Sequence, residues 1–421
     1  MIGTWITRIA TSWLVYKLTD SALLLGLVGF AGQIPSFLLA PLAGVMVDRW
    51  NRHRLLVVTQ VLAMIQSAAL AVLALTGTIK IWHVLALSVF QGLINAFDMP
   101  GRQSFVVQMV EHPGDLPNAI ALNSSLVNAA RLLGPSIAGV IIAIVGEGWC
   151  FAIDAVSYVA VIGSLLAMRI NTTETIVNTA SNITEQLREG FSYVWTFMPI
   201  RSILLLLAFV SLVGMPYTVL MPIFATEILH GGPYTLGILM TCSGIGALVG
   251  ALFLAARKSV VGLGRFIPGM AAVFGAGLVA FSFSRMIWLS MLLMVVTGLG
   301  FMVQMAVSNT LIQTIVDEDK RGRVMSFYTM AFMGTAPFGS LLAGTLAEYI
   351  GAPYTLLIGG IGCLAGAAWF QAVLPRLRGY VLPIYIQKGI IEEISTGIAE
   401  SAADPIDITI PPDITIPPSR P

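Results

Sequence analysis

Twelve apolar segments succeed one another along this 421-residue chain, at 1–18, 23–47, 55–77, 82–109, 118–145, 149–168, 202–225, 236–256, 266–283, 288–315, 325–350 and 354–373. Most reach the roughly 17–25 residues that a helix needs to cross the hydrocarbon of a bilayer. Backbone polar groups find no water there, so only helices and closed barrels span it. The period-two alternation of a membrane barrel is missing, and the segments are predicted as helices. Composition agrees. Charged residues make up 10% of the chain and hydrophobic residues 57%, against roughly 25% charged in soluble domains, too few here to cover a soluble surface.

Several function classes drop out. The net charge of +1 offers no nucleic-acid footprint. Cys150, Cys242 and Cys363 stand far apart inside apolar runs, which fits buried packing better than a zinc site or a disulfide framework. His53, His83, His112 and His230 form no metal-binding arrangement, and no phosphate-binding glycine loop occurs. The expectation is a non-enzyme with no cofactor and no metal.

Positive charge orients the spans. With the N-terminus inside, Arg49, Arg52, Arg54, Arg169, Arg188, Arg201, Arg257, Lys258, Arg265, Lys320, Arg321 and Arg323 fall in cytoplasmic connections. Only Lys17, Lys80 and Arg285 fall outside. Both termini are therefore predicted to be cytoplasmic. The polar stretch 169–200, whose second half has the pattern of an amphipathic interfacial helix, separates a six-span unit at 1–168 from a second at 201–374. A Pro-rich tail, 375–421, ends in two copies of Asp-Ile-Thr-Ile-Pro-Pro and reads as disordered.

The two halves repeat. At an offset of 205, Gly134 aligns with Gly339, Gly139 with Gly344 and Gly146 with Gly351, and Leu25-Gly26 resembles Leu236-Gly237. Parallel six-span repeats are a transporter architecture. The first span lacks a cytoplasmic arm before Ile2-Gly3-Thr4-Trp5, so it reads as shortened, as a start codon set too far downstream would make it.

Two motifs narrow the reading. Between spans two and three stands Gly44-Val45-Met46-Val47-Asp48-Arg49-Trp50-Asn51-Arg52-His53-Arg54. Glycine permits close helix approach, and an acid at a helix end can meet a facing helix N-terminus. In span five stands Arg131-Leu132-Leu133-Gly134-Pro135-Ser136-Ile137-Ala138-Gly139, where Gly-Pro bends the helix and small residues permit tight packing.

The first motif resembles the Gly-x-x-x-Asp-Arg-x-x-Arg-x-Arg signature of the major facilitator superfamily, matched by Gly44, Asp48, Arg49, Arg52 and Arg54. The resemblance implies a conformational latch against the start of span eleven, here 319–323. The second resembles the antiporter motif of drug exporters, matched by Gly134, Pro135 and Gly139, with Ala138 in place of a glycine and Arg131 upstream. Trp13-Leu14-Val15-Tyr16, Ala96-Phe97-Asp98-Met99-Pro100 and Arg321-Gly322-Arg323 are similar to the branch of enterobactin-type siderophore exporters and macrolide-efflux proteins. That similarity implies an all-α membrane protein of twelve transmembrane helices in two pseudo-symmetric six-helix bundles. It also implies a bacterial inner-membrane location and proton-driven export.

Ionisable residues at membrane depth are functional candidates. Arg8 sits roughly 15 Å deep at 1.5 Å per residue, where it meets either an anionic substrate or a nearby acid. Asp98 and Arg102, one turn apart, either pair or face the substrate path. Asp154 is the lone carboxylate best suited to carry a proton, or else a satisfied structural acid. Glu227 and Glu348 are expected to face solvent, and Met215-Pro216-Tyr217 to bend span seven. The expectation is a monomeric secondary transporter that exports a small organic molecule, a siderophore or drug-like compound, by proton antiport and alternating access. Its partners are that substrate, protons and lipid. Uptake or facilitated diffusion, and a non-transporting scaffold or sensor, are the alternatives.

Overall fold

A computed structural model describes residues 1–110, 113–168, 183–257, 259–318, 320–388 and 390. Arg169, Lys258, Asp319, His112 and the repeats of the tail lie outside the described residues. Gly44, Asp48 and Arg49 contribute only backbone. The described residues form fifteen α-helices and no strand. In order they are α1 (Ile2–Thr19), α2 (Ala22–Arg49), α3 (Arg52–Leu75), α4 (Ile81–Gln108), α5 (Leu116–Val145), α6 (Glu147–Ala167), α7 (Ile183–Thr196) and α8 (Met198–Val213). There follow α9 (Tyr217–Ile223), α10 (Pro233–Ala255), α11 (Phe266–Phe283), α12 (Ile287–Ile315), α13 (Arg321–Met333), α14 (Ala336–Ile350) and α15 (Ala352–Gln387).

Spans seven and eleven are each built from two helices, α8–α9 and α13–α14. Span seven breaks at Gly214–Pro216, where the sequence predicts a bend, and runs into a π-helical segment at Phe224–Ile228. Span eleven breaks at Gly334–Thr335, which the sequence reading takes as continuous. Pro337 lies in the first turn of α14, where its missing N–H is harmless. Among the described residues, eleven spans are long and apolar enough to cross a membrane by length and composition. The expected twelfth, α1, falls short because Arg8, Lys17 and its threonines dilute its 18 residues.

Local chemistry sets the helix starts. The Ser21 hydroxyl accepts from the Leu24 amide at 3.3 Å to open α2, and Asn51 Oδ1 accepts from the Arg54 amide at 3.0 Å to open α3. The turns α5–α6 and α14–α15 pivot on Gly146 (φ 92°) and Gly351 (φ 84°), a backbone region that L side chains avoid. These two form one of the glycine pairs that the internal repeat aligns.

Helices α1–α6 pack as one bundle and α8–α15 as another, and the bundles meet chiefly where α2 crosses α14 and α5 crosses α10. A Cβ on Gly26 would stand 2.8 Å from the Gly344 Cα, and one on Gly139 3.0 Å from the Gly237 Cα. Both are tighter than ordinary contact, so these crossings need glycine. Gly134 gives Trp5 of α1 its room, and Gly339 does the same for Pro216 at the break of span seven, whose ring would lie 2.9 Å from an added Cβ. The repeat legible in the sequence is thus a repeat of contacts.

The last span overruns its expected end at residue 373. α15 continues through Pro375 and Pro383 to Gln387, so the start of the segment expected to be a disordered tail is helical. Buried Leu374, Leu377 and Tyr385 hold it against the bundle. Lys388 Nζ donates to the terminal carbonyls of Thr314 (2.8 Å) and Val316 (3.0 Å) beside the end of α12.

Candidate functional site

A cavity of about 880 Å³ lies between the bundles. Its walls come from α1, α2, α4 and α5, with Gln66 of α3 and Asp154 and Tyr158 of α6, on one side and from α9, α10, α13 and α14 on the other. It extends from Arg8, midway along α1, past Gln103 of α4 and Ser326 and Phe327 of α13. At the opposite end the glycine crossings close it. Polar contacts reinforce that closed end. Tyr16 of α1 donates to Glu227 in the π-helical segment. Glu348 of α14 accepts from the Ser21 hydroxyl and the Leu23 amide, both at 3.0 Å, at the N-terminus of α2. Glu227 and Glu348 are exposed, as expected, yet each also ties one bundle to the other.

Asp154 of α6 lines the cavity and is 2% exposed. Its Oδ2 accepts from Thr7 of α1 at 2.8 Å and from Ser67 of α3 at 2.9 Å. Gly3 gives the carboxylate room, because any side chain there would strike it. Among the described residues Asp154 makes no ion pair. A buried carboxylate satisfied by hydroxyls alone can exchange its proton without stranding a cation.

Asp98 is placed differently. It is 8% exposed, points to α3 and lies off the cavity. Thr59 (3.0 Å), Gln60 (2.6 Å) and Arg102 (2.8 Å) all donate to it. The expected pairing with Arg102 is present, and the carboxylate is saturated.

Arg8 and Arg131 both line the cavity and converge on one ring. Their guanidinium carbons lie 5.4 Å and 5.9 Å from the Trp5 centroid. Pro135 joins the same wall, its carbonyl in the crossing with Gly237. Every residue singled out in span five therefore has a place: Gly134 seats Trp5, Arg131 stacks on it, and Pro135 and Gly139 form the helix crossing.

Of the latch motif, Arg54 is exposed, Arg52 is half-buried, and Gly44, Asp48 and Arg49 end α2. The start of α13 packs on α7 and α8. Gly190 of α7 sits against Phe327 and Arg323, and Lys320 Nζ lies 4.7 Å from the Tyr193 ring. Among the described residues no cluster of three or more His, Cys, Asp or Glu is spaced to hold a metal.

The sequence reading misses Trp5, Thr7 and Ser67. The mid-membrane position of Thr7 and Ser67 is a weak signal, since hydroxyls are common in membrane helices. Trp5 carries no signal until α5 is seen beside it.

The profile of a family described as transmembrane secretion effector matches residues 1–379. The Staphyloferrin A transporter of Staphylococcus aureus is 27% identical over 380 residues, covering 90% of this chain and 94% of that protein. The multidrug efflux pump Tap of Mycolicibacterium fortuitum is 28% identical, covering 89% and 93%. Macrolide efflux protein A of Streptococcus pyogenes is 21% identical, covering 87% and 91%. Among solved structures, a bacterial homolog of the human lysosomal transporter Spinster, inward-facing and occupied, superposes with a TM-score of 0.70 at 14% identity, covering 89% and 94%.

Proposed function

The chain belongs to the transmembrane secretion effector family of the major facilitator superfamily, and from that premise we propose that it exports a small organic molecule, a siderophore or drug-like compound, by proton antiport. Membership makes it a multi-pass, secondary transporter of a small molecule. The finer reading is carried by one observation: a hydroxyl-held carboxylate, Asp154, on the wall of the cavity between the bundles. Proton and substrate then compete for one chamber that opens to alternate sides as the bundles rock.

Positive charge in the connections supports a bacterial inner-membrane orientation with both termini cytoplasmic. In that orientation the glycine crossings lie at the outer end and the cavity reaches toward the cytoplasm. Gly44, Asp48, Arg49, Arg52 and Arg54 act in the opposite state, when the α2–α3 connection closes onto the start of α13. The sequence of span five, like that of exporters in the superfamily, supports outward movement, as do the efflux activities for which relatives are named.

Everted membrane vesicles carrying the full chain test this reading. Staphyloferrin A and a macrolide, the compounds that two relatives are named for, are offered under an imposed pH gradient. At least one is expected to accumulate, and a protonophore to stop it. Accumulation that persists after the gradient collapses removes antiport. Accumulation of neither removes both substrate assignments.

A further inference from the structure

The cavity treats its arginines unlike the rest of the bundle. Arg102 has a carboxylate partner 2.8 Å away. Arg8 and Arg131 have none, and among the described residues neither guanidinium makes a hydrogen bond or an ion pair. An arginine at the centre of a membrane helix costs about 2.5–3.5 kcal/mol on insertion scales. Two of them share one chamber, drawn to the same ring of Trp5, so they also repel each other. Among the described residues the one acid on the wall is Asp154, engaged by Thr7 and Ser67. The chamber thus holds an excess of fixed positive charge, more so whenever Asp154 carries a proton.

We propose that the cavity binds an organic anion, with its carboxylate or similar oxyanion groups on Arg8 and Arg131 and its flat apolar part beside Trp5. Guanidinium groups present paired N–H donors that match a carboxylate. Their other faces stay on the indole, which fixes their orientation before the ligand arrives. Tyr217 and Met215, on the facing bundle, supply an aromatic and a polarisable wall for the rest of the molecule. The inference deepens the transport reading by naming its substrate class and relies on it only for the word substrate, because binding is measured separately from movement.

Two xanthene dyes of similar size serve as probes: carboxyfluorescein, an anion, and tetramethylrhodamine methyl ester, a cation. Binding to the purified full-length protein in nanodiscs is followed by fluorescence anisotropy, and movement is followed in proteoliposomes under a pH gradient. The anion is expected to bind saturably and the cation at least about tenfold more weakly. Arg8→Gln and Arg131→Gln are each expected to weaken anion binding about tenfold, the loss of one charge-assisted contact. Arg8→Lys is expected to recover part of it, which separates lost charge from a misfolded bundle. Equal or tighter binding of the cation, anion binding unchanged in both Gln variants, or no saturable binding of the anion overturns the inference. An anion that binds but is not moved upholds the inference and counts against the transport reading. A cation that is moved while the anion does not bind does the reverse.

Discussion

Gly139 of α5 and Gly237 of α10 meet backbone to backbone, and each would place an added Cβ within 3.0 Å of the other's Cα. Gly26 and Gly344 repeat the contact on the opposite side of the cavity. Replacing Gly139 by Leu forces the helices apart, an overpacking cost of about 1–3 kcal/mol. That cost falls only on the state closed at this end, so the equilibrium shifts toward the other state, by roughly tenfold for each 1.4 kcal/mol. Spin labels at the exposed positions Leu18 and Tyr349 report the gap. A longer-distance population is expected to grow in Gly139→Leu and in Gly344→Leu. An unchanged distribution in both would sink the assignment of the crossings as the closing contact.

Glu348 reaches from one bundle to the first turn of α2 in the other, where free amides and the helix dipole favour a negative charge. Glu348→Ala is expected to weaken the same closed state by about 1 kcal/mol, and Glu348→Gln by less, since its amide oxygen still accepts. The spin-label distances are expected to rank wild type, Gln, Ala in order of opening. A ranking with Gln beyond Ala would contradict a contact of this kind.

Asp154 carries the coupled proton in the proposed mechanism. Asp154→Asn keeps the size and the hydroxyl contacts but cannot ionise, so substrate binding is expected to persist while gradient-driven accumulation is lost. Ser67→Ala removes one of two donors and is expected to change the pH dependence of transport without abolishing it. Full gradient-driven accumulation in Asp154→Asn would move the coupling to another group.

Asp98 is expected to act through stability. Its substitution by Ala leaves the buried Gln60 amide without its acceptor and removes the ion-pair partner of Arg102, while the Thr59 hydroxyl keeps the Leu56 carbonyl at 2.9 Å. The expected cost is about 1–3 kcal/mol, the desolvation penalty of groups left unpaired, read as a lower melting temperature of the purified protein. Transport per folded molecule is expected to hold. A stable Asp98→Ala protein with lost transport would put Asp98 on the substrate path.

How much of this was legible beforehand differs from residue to residue. Gly146 and Gly351 were aligned by spacing alone and share one turn conformation, because a helix-to-helix turn with positive φ admits little but glycine. Gly139 and Gly237 were visible as members of repeats, but that they touch each other was not. The break at Gly334–Thr335 was hidden because its residues suit a continuous membrane helix as well as a broken one. The helical stretch past Pro375 was hidden because proline predicts an ending, and only the burial of Leu377 and Tyr385 and the anchoring of Lys388 outweigh it.

The amino-acid sequence by itself determined a chain of membrane-spanning helices in two related halves, with their charges gathered at one side. A bilayer imposes those properties segment by segment, through hydropathy and charge that need no knowledge of neighbours. Which polar residues face the cavity was decided only by tertiary structure. Asp98 and Asp154 are both lone acids inside apolar helices, yet one is saturated by α3 and its own next turn, while the other stands on the cavity wall with two hydroxyls. Arg8 and Arg131 became one site only when α1 and α5 packed around Trp5. The rotation of each helix about its axis follows from the small residues its neighbours offer, and that information is spread over several segments at once.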